Sequence, residues 1–258
     1  MRHCGDPETD SIPWLARNAN RYPAGYLFAF LANHGMLSVS GSPQWRTVAG
    51  GSSRYVERIA AALAQVRLSS PVRAVRRRPD RVTVEDGSGD ALDFDAVVIA
   101  THPDQALRLL EAPTEAERSV LGAFRYTTNE AVLHTDARLL PPPGAVRASW
   151  NYALSGHGGS ASTPPKVSYH MNRLQNLPSG TDYIVTLGAR EDVDPASVIA
   201  VMDYAHPAYT RESVAAQSRL PGLNTSVTAF AGAYHGWGFH EDGCRAGAAA
   251  AQALGGSW

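Results

Sequence analysis

Lysine is nearly absent from this 258-residue sequence: Lys166 stands alone, and arginine supplies the rest of the 23 basic residues. That skew reflects codon composition more than function. Against 24 acidic residues the formal net charge is −1. A chain so balanced lacks the broad positive field that nucleic-acid binding uses. Cysteine is scarce as well. Cys4 and Cys244 build no disulfide framework and suit a reducing, cytoplasmic setting. No apolar run reaches the roughly 20 residues of a membrane-spanning helix. Met1 to Asp10 lacks the apolar core of a secretory signal. What is present is 44% hydrophobic and 18% charged residues, enough for a buried core in one large domain or two smaller ones.

Residues 1–22 are polar and without period, and are expected to be poorly ordered. Tyr26–Leu31 reads as a short buried helix. Gly50-Gly51 is a turn before a second helix with Tyr55, Val56, Ile59 and Leu63 on one face. Val66–Leu68 reads as a short strand. Pro71–Val75 and Arg81–Glu85 alternate around Pro79-Asp80, which predicts a hairpin. Phe94–Thr101 is a continuous apolar run, predicting a strand buried on both faces. Pro103 starts a helix, and Thr114-Glu-Ala-Glu117 is a capping box for another. Further on, Glu130–His134, Ala148–Tyr152, Lys166–His170 and Tyr183–Leu187 read as antiparallel strands around loops at Pro141–Gly144 and Gly156–Gly159. Asp194-Pro195 opens a short turn, and Ser213–Ser218 is a helix stopped by Pro221-Gly222.

Near the C-terminus, an apolar strand from Val227 runs into the turn Gly232-Ala-Tyr-His-Gly236-Trp-Gly238. A helix marked by Glu241-Asp242 follows. A helix start has unpaired N–H groups and a positive dipole end, so it attracts an anionic ligand group. Gly243, Gly247 and Ala248–Ala251 let this helix lie close to its neighbours.

Asn33-His34-Gly35, Gln44–Val48 with Gly50-Gly51, Val97–Asp104, Tyr169–Gln175 and Phe230–Cys244 together resemble the flavin-containing amine oxidase-like family, in its bacterial branch of FAD-binding oxidoreductases. The resemblance covers residues 23–258; Met1 to Arg21 shows none. It implies an α/β (mixed α+β) fold. Residues 23–112 and 225–258 form part of an FAD/NAD(P)-binding domain, and 113–224 an inserted antiparallel substrate domain. It implies FAD as cofactor and hydride transfer from a small-molecule or lipid-like organic substrate. Thr101 then lies under the dinucleotide and Val72 meets the adenine. Gly50, Gly51, Gly232, Trp237, Glu241, Asp242 and Gly243 lie along the flavin ring. Trp150, Tyr152, Tyr169, His170 and Arg173 are candidates for the substrate side. No catalytic base is assigned.

The family opens with a strand and a G-x-G-x-x-G turn that holds the pyrophosphate. That pattern is missing here, and Gly236-Trp-Gly238-Phe-His-Glu241 is the nearest approach. The chain is therefore expected to be a truncated form, with self-association through an exposed sheet edge. The alternative is a non-catalytic fragment or binding module without flavin. A third reading makes His240-Glu241-Asp242 the centre of a metal-dependent hydrolase, but the spacing fits no zinc pattern, so no metal is assigned. Cys244 reads as a small buried residue, and Arg76-Arg77-Arg78 as a solvated hairpin edge.

Overall fold

A computed structural model describes residues 23–33, 35, 37, 46–142, 147–153 and 166–257. The expectation for residues 1–22, and most of the two loop expectations at 141–144 and 156–159, lie outside the described residues.

Helix α1 (Ala24–Asn33) forms where the apolar run predicts it, but Tyr26 is its buried residue, while Leu27 and Phe28 are exposed. Gly50 and Gly51 take φ of 81° and 88°, a turn glycine makes without strain. Helix α2 (Ser53–Ala62) follows. Its apolar face of Tyr55, Val56 and Ile59 exists as expected but is exposed. Residues 66–68 are irregular rather than a strand. Strands β1 (Val72–Arg77), β2 (Val82–Asp86) and β3 (Ala91–Phe94) make an antiparallel sheet. Asp86 shapes its second turn by accepting the Ser88 N–H at 2.9 Å. Strand β4 (Val97–Ile99) is shorter than expected, and Val98 is exposed although Ile99 is buried.

Helix α3 (Pro103–Leu109) starts with proline at its first turn, where no N–H is needed. Helix α4 (Glu115–Leu121) has the expected capping box: Thr114 Oγ1 accepts from Glu117 N–H at 3.2 Å, and Glu117 Oε2 accepts from Thr114 N–H at 2.7 Å. Glu117 is 2% exposed and also receives Arg77 Nη2 at 2.9 Å. This corrects the reading of the arginine run: Arg76 pairs with Glu85 and Glu111, and Arg77 with the buried Glu117.

The remaining elements are β5 (Arg125–His134), β6 (Trp150–Ala153), β7 (Lys166–His170), α5 (Met171–Gln175), β8 (Ile184–Leu187), β9 (Val198–Ala208), α6 (Arg211–Gln217), β10 (Thr228–Phe230) and α7 (His240–Ala253). Strand β9 is absent from the sequence reading. Its run Val198–Met202 is apolar throughout, so it carries no period-2 signal.

The fold divides into two units. One takes in His34–Ala61 and Tyr126–His206. It holds a five-stranded sheet in the order β6-β7-β8-β5-β9. Register puts Asn151, Ser168, Thr186 and Val132 in one row, with His170, Ile184 and His134 beside it on the same face. Trp150, Tyr169, Val185 and Leu133 lie on the opposite face, since side chains alternate along a strand. The first face is polar yet buried, so its groups pair. His134 Nδ1 accepts the Asp136 N–H at 3.1 Å. Its Nε2–H therefore donates to Thr186 Oγ1, 2.8 Å away, and Thr186 meets Ser168 Oγ at 2.9 Å.

The other unit takes in Pro23–Asn33, Ala62–Arg125 and Pro207–Trp258. It holds the β1-β2-β3 sheet and the parallel pair of β4 and β10. Thr228, Ala229 and Phe230 are fully buried. Helix α7 lays Ala246 and Ala250 on Ala229 and Ala231. Small side chains permit that close approach.

Candidate functional site

Ala231 N–H donates to Ile99 O at 3.1 Å, closing a parallel register in which Phe230 faces Ile99. Two residues beyond each, Thr101 and Gly232 leave the carboxyl ends of neighbouring parallel strands. Residues 131 positions apart in the sequence thus come to the place where open parallel sheets bind ligands.

The turn after Gly232 is fixed from several directions. Gly236 O accepts Tyr26 Oη at 3.0 Å and Gln217 Nε2 at 2.7 Å. Gln217 also donates to Tyr234 O at 3.1 Å. The Tyr26 ring packs on Tyr209 and Trp237, with centroids 4.9 and 4.1 Å away. Asp242 is 5% exposed, and its Oδ2 accepts the Trp237 and Phe239 N–H groups, each at 3.0 Å. Arg245 Nη2 reaches Oδ1 at 3.2 Å. A side chain on Gly236 would strike the Asp242 carboxylate, and one on Gly232 the Tyr234 ring.

Helix α7 then begins at His240, and its first intrahelical bond is Gly243 N–H to Phe239 O at 3.1 Å. The start of the helix carries the positive end of its dipole. Burial raises the Tyr234 hydroxyl far above its ordinary range and lowers the His235 imidazole, so both are neutral at pH 7. Neither Tyr234 Oη nor His235 Nε2 has a hydrogen-bond partner.

The cofactor-side residues named from the sequence divide accordingly. Thr101, Gly232, Trp237, Glu241, Asp242 and Gly243 belong to one unit and cluster along β4, β10 and the start of α7. Val72 is in that unit but opens β1 in the other sheet, half-exposed. Gly50 and Gly51 are in the other unit. Glu241 is exposed. Asp242 spends both carboxylate oxygens inside the protein, so its part is to hold the turn. Cys244 is exposed rather than buried: it follows Gly243 on a side of the helix that β10 does not cover.

The substrate-side set splits in two. Trp150 and Tyr169 meet edge to face at 6.1 Å, and Tyr152 lies on the same face. His170 lies on the opposite face, buried, with Nε2 on Asp182 Oδ1 at 2.9 Å; Arg147 holds the other oxygen at 2.9 Å. Arg173 is exposed on α5. Tyr26, Tyr209 and Gln217 hold the turn and were missed, because nothing local marks them as its neighbours. Among the described residues, no group of three or more His, Cys, Asp or Glu is placed to hold a metal ion.

Residues 2–169, more than half of the chain, match the family described as Flavin containing amine oxidoreductase. The chain belongs to that family. The match takes in residues 2–22, where the sequence reading saw no resemblance, and stops short of the C-terminal turn. The CLA-producing fatty acid isomerase from P. acnes is 16% identical; the alignment covers 86% of this chain and 56% of that one, with a TM-score of 0.58. The cyclohexylamine oxidase from Brevibacterium oxydans IH-35A is 15% identical, with 91% and 60% covered and a TM-score of 0.58. Wild-type putrescine oxidase bound to putrescine is 14% identical, with 80% and 52% covered and a TM-score of 0.51. The chain thus spans little more than half the length of these structures. Their likeness establishes a mixed helix-and-sheet fold shared with this amine oxidoreductase. None of the curated proteins matches the chain. No helix among the described residues is long and apolar enough to cross a membrane.

Proposed function

We propose that this amine oxidoreductase chain supplies the flavin-ring wall and the substrate-side sheet of an FAD-dependent enzyme that takes a hydride from a small or lipid-like organic substrate. The observation that carries this reading is the pairing of β4 with β10, which aligns Thr101, Gly232 and the N-terminus of α7. A bound flavin supplies the hydride acceptor. The chain's own part is electrostatic. A helix N-terminus favours the negative charge that reduction places near the pyrimidine edge. Neutral Tyr234 and His235 add no charge of their own, and Gly243 leaves room: a Cβ there would meet nothing nearer than Ala233 N at 3.8 Å. Trp150, Tyr152 and Tyr169 suit the substrate side better than His170, which faces away from them.

A second reading, a chain that holds no flavin by itself, is favoured by the absence of a G-x-G-x-x-G pattern from the sequence. In that reading the chain is a fragment or a binding module, and the exposed Val98 on β4 supports self-association through a sheet edge. Scarce cysteine supports a cytoplasmic setting in either case.

Titration of the purified chain with riboflavin and with FAD, read by quenching of flavin fluorescence, separates the two. Saturable binding of both, with riboflavin within about threefold of FAD and loss in Gly243→Val, supports a ring wall without a pyrophosphate cradle. No saturable response to either flavin removes the first reading and leaves the second.

A further inference from the structure

Helix α7 has a second flank, which shares Asp242 with its start. At 100° per residue, Arg245 and Ala249 lie about 120–160° around the helix from Gly243 and Gly247. On that flank a cleft of about 470 Å³ opens, bordered by Tyr26, Gln217, His235, Trp237, Arg245 and Ala249. Its volume is in the range of small-molecule sites.

We infer that this cleft is a binding site for a small organic anion, an apolar body ending in one carboxylate. Ala249, the neighbouring Ala246 and the Trp237 ring provide an apolar surface for the body. Arg245 provides the charge. Its side chain is 69% exposed, and among the described residues its one hydrogen bond is the 3.2 Å contact with Asp242. The remainder of its planar fork matches a carboxylate. Asp242 borders the cleft too and pairs with Arg245, so it offsets part of that charge, while its oxygens are also taken up by the Trp237 and Phe239 N–H groups. His235 borders the same cleft with a buried, unpartnered Nε2, a group that gains from a polar ligand atom. The carboxylate at the cleft, Asp242, is already paired, so a cationic ligand would have to displace Arg245 from it. The cleft shares Trp237 and Asp242 with the residues assigned to the flavin side, while Gly232, Glu241 and Gly243 do not border it.

The test uses the full chain with benzoate and hexanoate as probes and benzylamine as the contrast, read by tryptophan fluorescence and by calorimetry. Saturable binding of at least one carboxylate, weakened tenfold or more in Arg245→Gln and abolished in Ala249→Leu, supports the site. Both positions are exposed, so both variants are expected to fold, which circular dichroism verifies. The inference is overturned by no saturable response to either carboxylate, by equal binding in Arg245→Gln, or by benzylamine binding as tightly. Riboflavin titration of Ala249→Leu keeps the two sites apart. An unchanged flavin response, whatever its size in the parent chain, supports a separate site. A flavin response lost together with carboxylate binding makes the cleft the flavin's own and ends the inference.

Discussion

Asp242 accepts the backbone N–H of Trp237 at 3.0 Å, across five residues and the boundary between turn and helix. The same oxygen accepts Phe239 N–H. One buried carboxylate thereby sets both the shape of the turn and the point where α7 begins. Asp242→Ala leaves two N–H groups without their acceptor and is expected to destabilise the chain by about 1–2 kcal/mol. Urea unfolding measures this. A larger loss of Trp237 order than of total helix, seen as a shifted tryptophan emission, marks the turn as the part that loosens.

Two glycines near that turn separate backbone need from mere space. Gly238 has φ of 93°, and a Cβ there would lie 2.7 Å from Tyr209 Oη. Gly238→Ala is expected to cost at least about 1 kcal/mol. Gly247 sits inside α7 with nothing within 4 Å of an added Cβ. Gly247→Ala should stabilise by about 0.5–1 kcal/mol through helix propensity. Thermal unfolding of the two variants should move in opposite directions; a shared direction would contradict the described packing.

Arg77 and Glu117 form a largely buried ion pair, with side chains 15% and 3% exposed. Burial alone would raise the Glu117 carboxyl, but the Arg77 hydrogen bonds and the Thr114 N–H outweigh it and leave it below its ordinary value. A carboxylate lowered in the fold contributes stability that is complete above its unfolded value, about 4.5. That contribution is lost as pH falls further, through the folded value. Glu117→Gln leaves Arg77 without its countercharge and is expected to cost about 3 kcal/mol at pH 7. The difference from the parent chain should shrink in unfolding measurements below pH 4.

His134 is fully buried, and burial lowers its imidazole below the ordinary histidine value of 6.5. It stays neutral because Nδ1 must accept the Asp136 N–H. The unfolded chain takes up the proton first, so the stability of the neutral pairing is present above about pH 6.5 and declines as pH falls toward the folded value. Unfolding free energy followed from pH 7.5 to 5 should drop less steeply in His134→Gln than in the parent chain. Thr186→Val leaves Nε2–H unpaired and is expected to cost about 1–3 kcal/mol at pH 7.

Much of the secondary structure was legible because its signals are local. Thr114 and Glu117 are three residues apart and cap one helix. Pro79-Asp80 and Asp86–Gly89 turn the chain by their own backbone preferences. The hairpin alternates, and so do the short strands β6 to β8. Strand β9 was not legible, since a run apolar on both faces has no period. The burial of α1 and β4 was misjudged for a related reason: apolar composition states what a segment can bury, and its neighbours determine whether it does.

By itself the sequence determined most of the elements, the capping signals, the turn rich in glycine and aromatics, and the family resemblance, which the family match over residues 2–169 bears out. Tertiary structure decided what those elements do together. It placed Thr101 beside Gly232, and it brought Tyr26, Tyr209 and Gln217 to the Gly236 turn. It put His170 on the face away from Trp150, Tyr152 and Tyr169, and it turned Asp242 inward. Local preferences act over a few residues and are written in order along the chain. Strand register, burial and long-range hydrogen bonds depend on which distant segments meet, so they appear only once the chain has folded.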